Sequence, residues 1–387
     1  MHPSSIHLQD VGQIASASVE FGDLTVLVGP QATGKSVFLE ILKLVVDYGS
    51  IQAEMKRFSI DWGGKPEAFF DLYFGDGMAR IWQPSSQLVI DGTSRNLSEF
   101  AKSPRRKAAD ESVFFIPAQR VMSLRDGITR PFTEFRSGDP FVIREFSERL
   151  HQLVQNEFGR EPALFPKMNR LKEALRKPIA DHIFGGFSLR TDTEQFQRRI
   201  VLSGGEGTKS LSYLVWSAGQ REFVPLLLGL YWLMPPAKVA TRAALRWVVI
   251  EEPEMGLHPD AISVVLSLVL ELLSRGYRVC LSTHSPHVLD VVWALQFMKQ
   301  HGGTYSDVLK LFQLQSTPGT RAICADALNK QYRTFFFPRD GHVKDISGLN
   351  PGASDAAESG WGGLSGFSGR VSDVVAAVAR RSEGGAK

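Results

Sequence analysis

Cysteine is nearly absent from this 387-residue sequence, which has 2, Cys280 and Cys324. Two thiols cannot build a disulfide framework. Cys280 also lies in the apolar run Tyr277 to Leu281, so a packed, reduced thiol is expected, and with it a cytoplasmic location. Long hydrophobic runs are absent as well. The longest uncharged apolar stretch, Phe223 to Ala237, is interrupted by proline and too short to span a bilayer. Met1 to Ser5 lacks a basic segment with an apolar one behind it, so no signal peptide is expected. Neither charge dominates: 44 basic and 41 acidic residues leave +3, too mild to mark a nucleic-acid binder. What remains is an ordinary soluble composition, 43% hydrophobic and 22% charged, at a length that calls for one large α/β domain with insertions or two subdomains.

Against this plain background, Gly29-Pro30-Gln31-Ala32-Thr33-Gly34-Lys35-Ser36 reads G-x-x-x-x-G-K-S. Leu24 to Val28 before it is a β-rich run, and Val37 to Val46 after it carries a helix-length apolar pattern, the strand-loop-helix context that a phosphate cradle requires. Gly29 and Gly34 permit turns that bring successive amides to phosphate at the helix N-terminus. Lys35 is placed to reach the β- and γ-phosphates and Ser36 to ligate Mg²⁺. The expected ligands are ATP and Mg²⁺, with Gly29 through Val37 as the cradle. A second motif, Trp247-Val248-Val249-Ile250-Glu251-Glu252-Pro253-Glu254, is a buried strand whose C-terminal end carries paired acids, where open α/β sheets place ligands. Glu251 is the expected Mg²⁺ holder, and Glu252 orients or deprotonates the attacking water.

Between these motifs, Phe69 to Phe74 and Gln87 to Ile90 read as strands of an antiparallel β meander, with Gly75-Asp76-Gly77 and Asp91-Gly92 as hairpin turns. Val113 to Ile116 is a buried strand ending in Gln119-Arg120. Val142, Phe146, Leu150, Leu153 and Val154 recur at helical spacing and open a helical insertion, continued by short helices over Met168–Leu175 and Ile179–Ile183 with Pro162, Pro166 and Pro178 at their boundaries. Strand-like runs return at Phe196 to Leu202 and Lys209 to Val215. Val308 to Leu314, Arg321 to Ala325 and Tyr332 to Phe337 also read as strands, the first two separated by a Thr317-Pro318-Gly319 turn. Residues 348–370 are Gly- and Ser-rich, and Val371 to Arg380 fits a short amphipathic helix that docks on a partner or on its own surface. The expected organisation is 1–138 and 186–345 as two parts of one nucleotide-binding domain, 139–185 as the helical insertion, and 346–387 as a flexible tail.

The glycine-rich loop, the Glu-Glu-Pro-Glu strand end, Met255-Gly256-Leu257-His258-Pro259 and Ser282-Thr283-His284-Ser285-Pro286, in this order, resemble ABC-type ATPases of the RecF, SMC and OLD-like branch. The resemblance covers most of residues 1–300 and implies a P-loop NTPase fold of ABC type. It further implies a homodimer, or a higher homo-oligomer, that sandwiches ATP, with a Ser-x-Gly signature of one copy capping the γ-phosphate held by the other. His284 takes the place of the switch histidine and Gln119 that of the Q-loop glutamine, which responds to Mg²⁺. Two stretches compete for the signature. Ser203-Gly204-Gly205-Glu206 is the closer letter match but has hairpin chemistry. Ser217, Gly219 and Gln220 directly precede an apolar helix and are favoured, because a signature needs its amides at a helix N-terminus. The chain departs from its relatives at Gln31-Ala32, where they carry Asn-Gly. No acidic cluster outside the ATP site resembles a nuclease centre, so a separate effector protein, such as a nuclease or toxin, or a nucleic acid is expected to receive the signal, in anti-phage defence or in DNA maintenance. A transporter's nucleotide domain is the third reading and the least favoured. Lys102 to Lys107 and Lys167 to Lys177 are basic enough to touch nucleic acid, although solvated surface is the simpler reading.

Overall fold

The computed structural model describes residues 2–102, 110–158, 162–168, 170–194, 197–205, 208–235, 241–242 and 244–384. Ser5–Val11 (β1) and Ile14–Glu20 (β2) form a hairpin, and Leu24–Val28 (β3) delivers the glycine-rich loop to Lys35–Arg57 (α1). Pro66–Phe74 (α2) precedes Trp82–Ile90 (β4), which turns through Asp91-Gly92 into Thr93–Arg95 (β5). Val113–Ile116 (β6) leads through the short pair Leu124–Arg125 (β7) and Ile128–Thr129 (β8) to Phe141–Gln152 (α3). Ala163–Phe165 (β9), Glu173–Ile179 (α4), Ser188–Glu194 (β10) and Gln197–Ser203 (β11) follow. Then come Ala218–Leu233 (α5), Trp247–Glu251 (β12), Pro259–Ser274 (α6), Arg278–Thr283 (β13) and Pro286–Gln300 (α7). Tyr305–Leu311 (α8), Pro318–Ala327 (α9), Tyr332–Phe336 (β14), Lys344–Asp345 (β15), Ala356–Ser359 (α10) and Gly366–Gly384 (α11) complete the described elements.

The organising layer is a 6-stranded sheet in the order β15-β14-β3-β13-β12-β6, parallel except for β15. Every residue of β3 and β12 is buried, as expected for parallel strands covered on both faces. Side chains alternate between two cores. Val248 and Ile250 point to one, built with α5, α6 and α7. Trp247 and Val249 point to the other, built with α1, α2 and the antiparallel sheet β2-β1-β4-β5. All five parallel strands run the same way, so their C-terminal ends open on one edge, and the acids of β12 arrive beside the loop that follows β3. The P-loop α/β architecture with its antiparallel meander is therefore present. At Asp91 and Gly92 the meander turns with φ of 48° and 77°, the two positive values a two-residue hairpin asks for.

Several strand readings are corrected. Phe69 to Phe74 is helical because Pro66 opens a turn and Phe69/Tyr73 and Phe70/Phe74 recur at i, i+4, with their rings packed together. Val308 to Leu314 falls largely in α8, started by a Thr304/Asp307 capping box, and Arg321 to Ala325 lies in α9, started by Thr317 and Pro318. Lys209 to Val215 contributes one bridge, Leu211 to Leu202, and a single 3₁₀ turn. In the helical insertion, Pro178 sits inside α4 rather than at a boundary. The segment from 346 onward begins inside the structure: Ile346 and Leu349 are buried, and the Trp361 ring packs on Trp293. It then becomes α11, whose Val371, Val374, Val375 and Val378 are exposed. No helix among the described residues is long and apolar enough to cross a membrane.

Candidate functional site

The loop after β3 is shaped by two glycines. Gly29 has φ 148° and a Cβ there would lie 2.2 Å from the Phe337 carbonyl oxygen; Gly34 has φ 92° and its Cβ would lie 2.6 Å from Ile14 Cγ1. Neither position tolerates a side chain. Gly34 also caps α1, so the first-turn amides of a 23-residue helix face the loop. Lys35 folds back along the cradle, donating to the carbonyls of Gly29 (2.8 Å) and Pro30 (2.7 Å), and the Thr33 hydroxyl donates to Pro30 as well. Burial pushes the Lys35 ammonium down to about 8, against the pull of Glu252, Glu254 and Glu251. A group this poorly solvated is stabilised strongly by an anion.

The loop faces an open cleft of about 210 Å³ lined by Gln31 through Val37 with Gln13, Glu252, Ser282 and His284. Glu251 lies beneath it, against the Ser36 hydroxyl. It is 4% exposed, and its Oε2 accepts from the Ala118 amide at 3.0 Å. Burial pushes its carboxyl upward, while the Ser36 hydroxyl and the Ala118 amide oppose that shift. Its Oε1 is buried without a hydrogen-bond partner. An orphaned buried carboxylate oxygen next to a serine hydroxyl fits a Mg²⁺ ion, which takes hard oxygen ligands and keeps several waters.

Glu252 follows with φ 43°, an uncommon conformation for a side chain of its size. Its Oε1 lies 3.3 Å from His284 Nε2, and that contact holds its carboxyl below the ordinary glutamate value despite partial burial. His284 is fixed in turn. Glu254 Oε1 accepts from the His284 amide (2.6 Å) and from the Thr283 hydroxyl (2.7 Å), tying the turn after β13 to the turn after β12. Thus Lys35, Ser36, Glu251, Glu252 and His284 are brought together. Gln119, the expected Mg²⁺-responsive residue, is exposed outside the cleft lining, and its neighbour Arg120 is buried instead.

The favoured signature is not part of the lining of this cleft. Ser217 is the N-cap of α5 in a capping box: its hydroxyl accepts from the Gln220 amide at 3.2 Å and the Gln220 side chain accepts from the Ser217 amide at 3.0 Å. Ser217 and Ala218 are exposed. Gln220's side chain is thereby committed to its own helix. The competing Ser203 is a buried end of β11, with Leu202 paired to Leu211 behind it, and Glu206 lies outside the described residues. Among the described residues of the two stretches, only the later meets the helix N-terminus condition.

Only part of the two basic clusters falls within the described residues. Of the first, Ser103 to Lys107 lie outside the described residues. In the second cluster Lys167, Arg170 and Arg176 are buried, donating to the carbonyls of Ala163, Tyr231 and Met168 respectively. Gln13, Ser282, Glu254 and Glu222 were not expected at the site, and Arg120 was expected only beside Gln119 at a strand end. Gln13 reaches the cleft from the β1–β2 turn, for which the sequence holds no signal. Glu254 was visible as the fourth letter of the Glu-Glu-Pro-Glu end.

Residues 24–290 match a family model described as "AAA domain, putative AbiEii toxin, Type IV TA system". Among solved structures the chain is similar to an SMC head bound to the C-winged helix domain of ScpA, at 14% identity and TM-score 0.41, covering 89% of this chain and 97% of that one. It is also similar to the SMC head domain from Thermotoga maritima (12%, TM-score 0.32, 75% and 92% covered) and to a dimeric bacterial ABC transporter cassette (12%, TM-score 0.34, 88% and 96% covered). No curated protein matches the sequence.

Proposed function

We propose that the chain, which belongs to this AAA-domain family, is an ABC-type ATPase of the SMC/RecF-like kind that hydrolyses ATP in a site completed by a second copy. The observation that carries the reading is the division of the site. Gln31 through Val37, Glu252 and His284 line one cleft, while the Ser217 end of α5 is exposed and outside it. An exposed, well-capped helix N-terminus is an anion site in search of its anion, and a partner's γ-phosphate supplies one.

In this reading Lys35 stabilises charge on the β- and γ-phosphates, and Ser36 with Glu251 holds Mg²⁺, which when bound neutralises phosphate charge. Glu252 aligns a water against the γ-phosphorus and accepts its proton. The water oxygen bonds to phosphorus as the bridging oxygen leaves, giving ADP and phosphate. Ser217 and Gly219 of the second copy face the same phosphate, and His284 keeps Glu252 ionised and oriented. Closure of the pair is then the signal, received by a separate effector protein in a defence role. The toxin–antitoxin wording attached to the family supports that direction. Direct action on DNA is the alternative, and its mark would be hydrolysis stimulated by duplex.

The experiment compares two variants for hydrolysis and for oligomeric state with ATP. Glu252→Gln is expected to bind ATP, lose at least about 100-fold in turnover and accumulate as an ATP-bound dimer. Lys35→Ala is expected to lose nucleotide binding. Wild-type turnover in Glu252→Gln, or a monomer at saturating ATP, overturns the reading.

A further inference from the structure

One buried cation in the neighbourhood of the site is used by none of the steps above. Arg120 follows Gln119 at the start of the 3₁₀ turn after β6 and is 1% exposed. Its guanidinium is spent on four backbone carbonyls: Nη1 donates to Glu251 at 2.9 Å and, more weakly, to Pro117 at 3.5 Å, Nη2 to Glu252 at 2.9 Å, and Nε to Glu222 at 3.2 Å. The same Nη2 lies 3.5 Å from the Glu222 carboxylate. Glu222 belongs to the first two turns of α5, the helix that Ser217 caps. One planar fork therefore clamps both acids of β12 through their main chain and fastens them to the candidate signature helix.

A second contact runs alongside. A Cβ on Gly219 would lie 2.7 Å from the Gly256 carbonyl oxygen, so the start of α5 rests directly on the turn that follows Glu252. Between these two contacts sits the one residue of the strand end with a left-handed backbone, Glu252 itself at φ 43°. Such a conformation persists only where its surroundings over-determine it. Glu252's carbonyl is held by Arg120, and its amide donates to Ser282 at 2.9 Å.

We infer that Arg120 is a positioning residue for hydrolysis: it holds Glu252 in its strained backbone conformation and gears that acid, through Glu222, to the helix whose N-terminus meets the partner's nucleotide. The inference rests on the proposed function, in which Glu252 serves the water and α5 faces the second copy. It adds that the two halves of the site are linked within each chain, so that seating of Ser217 on a neighbour's phosphate is felt at the chain's own acid. Arginine is required because five donors in a rigid plane can serve these spread acceptors at once, which a lysine ammonium on a flexible stem cannot do.

The test uses Arg120→Lys, which keeps the buried charge, and Glu222→Gln, which keeps the helix and its carbonyl. Arg120→Lys is expected to bind one ATP per chain with affinity within about threefold of wild type and to lose about 10–100-fold in kcat. Glu222→Gln is expected to lose kcat in the same sense, and the double variant to lose no more than Arg120→Lys alone, since both act through one linkage. Turnover at the wild-type rate in Arg120→Lys overturns the inference. So does a fall in binding stoichiometry matching the fall in turnover, which is the mark of a merely structural role, and so does full additivity in the double variant. Glu252→Gln run beside them separates the levels. If it loses turnover while Arg120→Lys keeps it, this inference alone fails; if Glu252→Gln keeps turnover, the proposed function fails with it.

Discussion

At the scale of single residues, Lys35 ties the electrostatics of the cradle to a measurable pH dependence. Burial, opposed by the three nearby glutamates, places its ammonium at about 8. Phosphate beside it favours the charged form, so ATP binding above that pH takes up a proton. Nucleotide affinity is expected to be flat below about pH 8 and to fall by up to about tenfold per unit above it, measured by titration calorimetry in buffers of different ionisation heat. Equal affinity at pH 7 and pH 9.5 would refute the assignment. For folding the sign is reversed. The unfolded chain keeps this proton up to its ordinary 10.5, so the group adds stability to the ligand-free protein as pH rises from about 8 towards that value.

At the scale of elements, the N-terminus of α5 caps its own helix and, in the proposed dimer, takes a second job. Ser217→Ala removes a side-chain acceptor from the Gln220 amide and is expected to cost about 1 kcal/mol in chemical unfolding, the usual worth of an N-cap. In the proposed dimer it also removes a phosphate contact, so turnover should fall by more than the stability loss explains. An equal loss of both would make Ser217 a cap and nothing else. The glycine-rich loop and the acid-ended strand were legible in the sequence because each is local: a fixed run of letters between a strand and a helix. The misread elements failed where composition and spacing disagree. Phe69 to Phe74 is aromatic enough for a strand, yet its i, i+4 pairs and Pro66 make it a helix. Residues 308–314 and 321–325 were decided by capping boxes at Thr304 and Thr317, the second read only as a turn. Arg120 was invisible as a clamp, since the Glu222, Glu251 and Glu252 carbonyls it joins lie more than 100 positions away in the sequence.

At the scale of the whole molecule, a buried charge cluster joins the cradle helix to the rest. Lys43 on α1 is fully buried and contacts Asp47 (3.1 Å), Glu111 (2.9 Å) and Glu145 (3.0 Å), and it donates to the Val113 carbonyl at 2.6 Å. Arg149 on α3 closes the circle through Glu111 at 3.1 Å. Burial alone would drive the Lys43 ammonium to lose its proton, but the three carboxylates more than offset this and hold it charged. Lys43→Met leaves those acids facing one another without their cation and is expected to cost about 3–5 kcal/mol by urea unfolding. A loss under about 1 kcal/mol would mean that the cluster reorganises freely.

The position of β3 in the main sheet has a temporal consequence. Its two neighbours are β13 and β14, which lie far downstream, the second at Tyr332–Phe336. On the ribosome the strand that carries the cradle therefore waits for about 300 further residues, roughly 15–60 s at ordinary elongation rates, before its second edge is covered. During that interval Leu24–Val28 is an apolar strand with open edges, the kind of segment that holdase chaperones shield. ATP offered to a stalled nascent chain released before β14 should find no folded cradle, so nucleotide binding becomes a late event in the life of each copy.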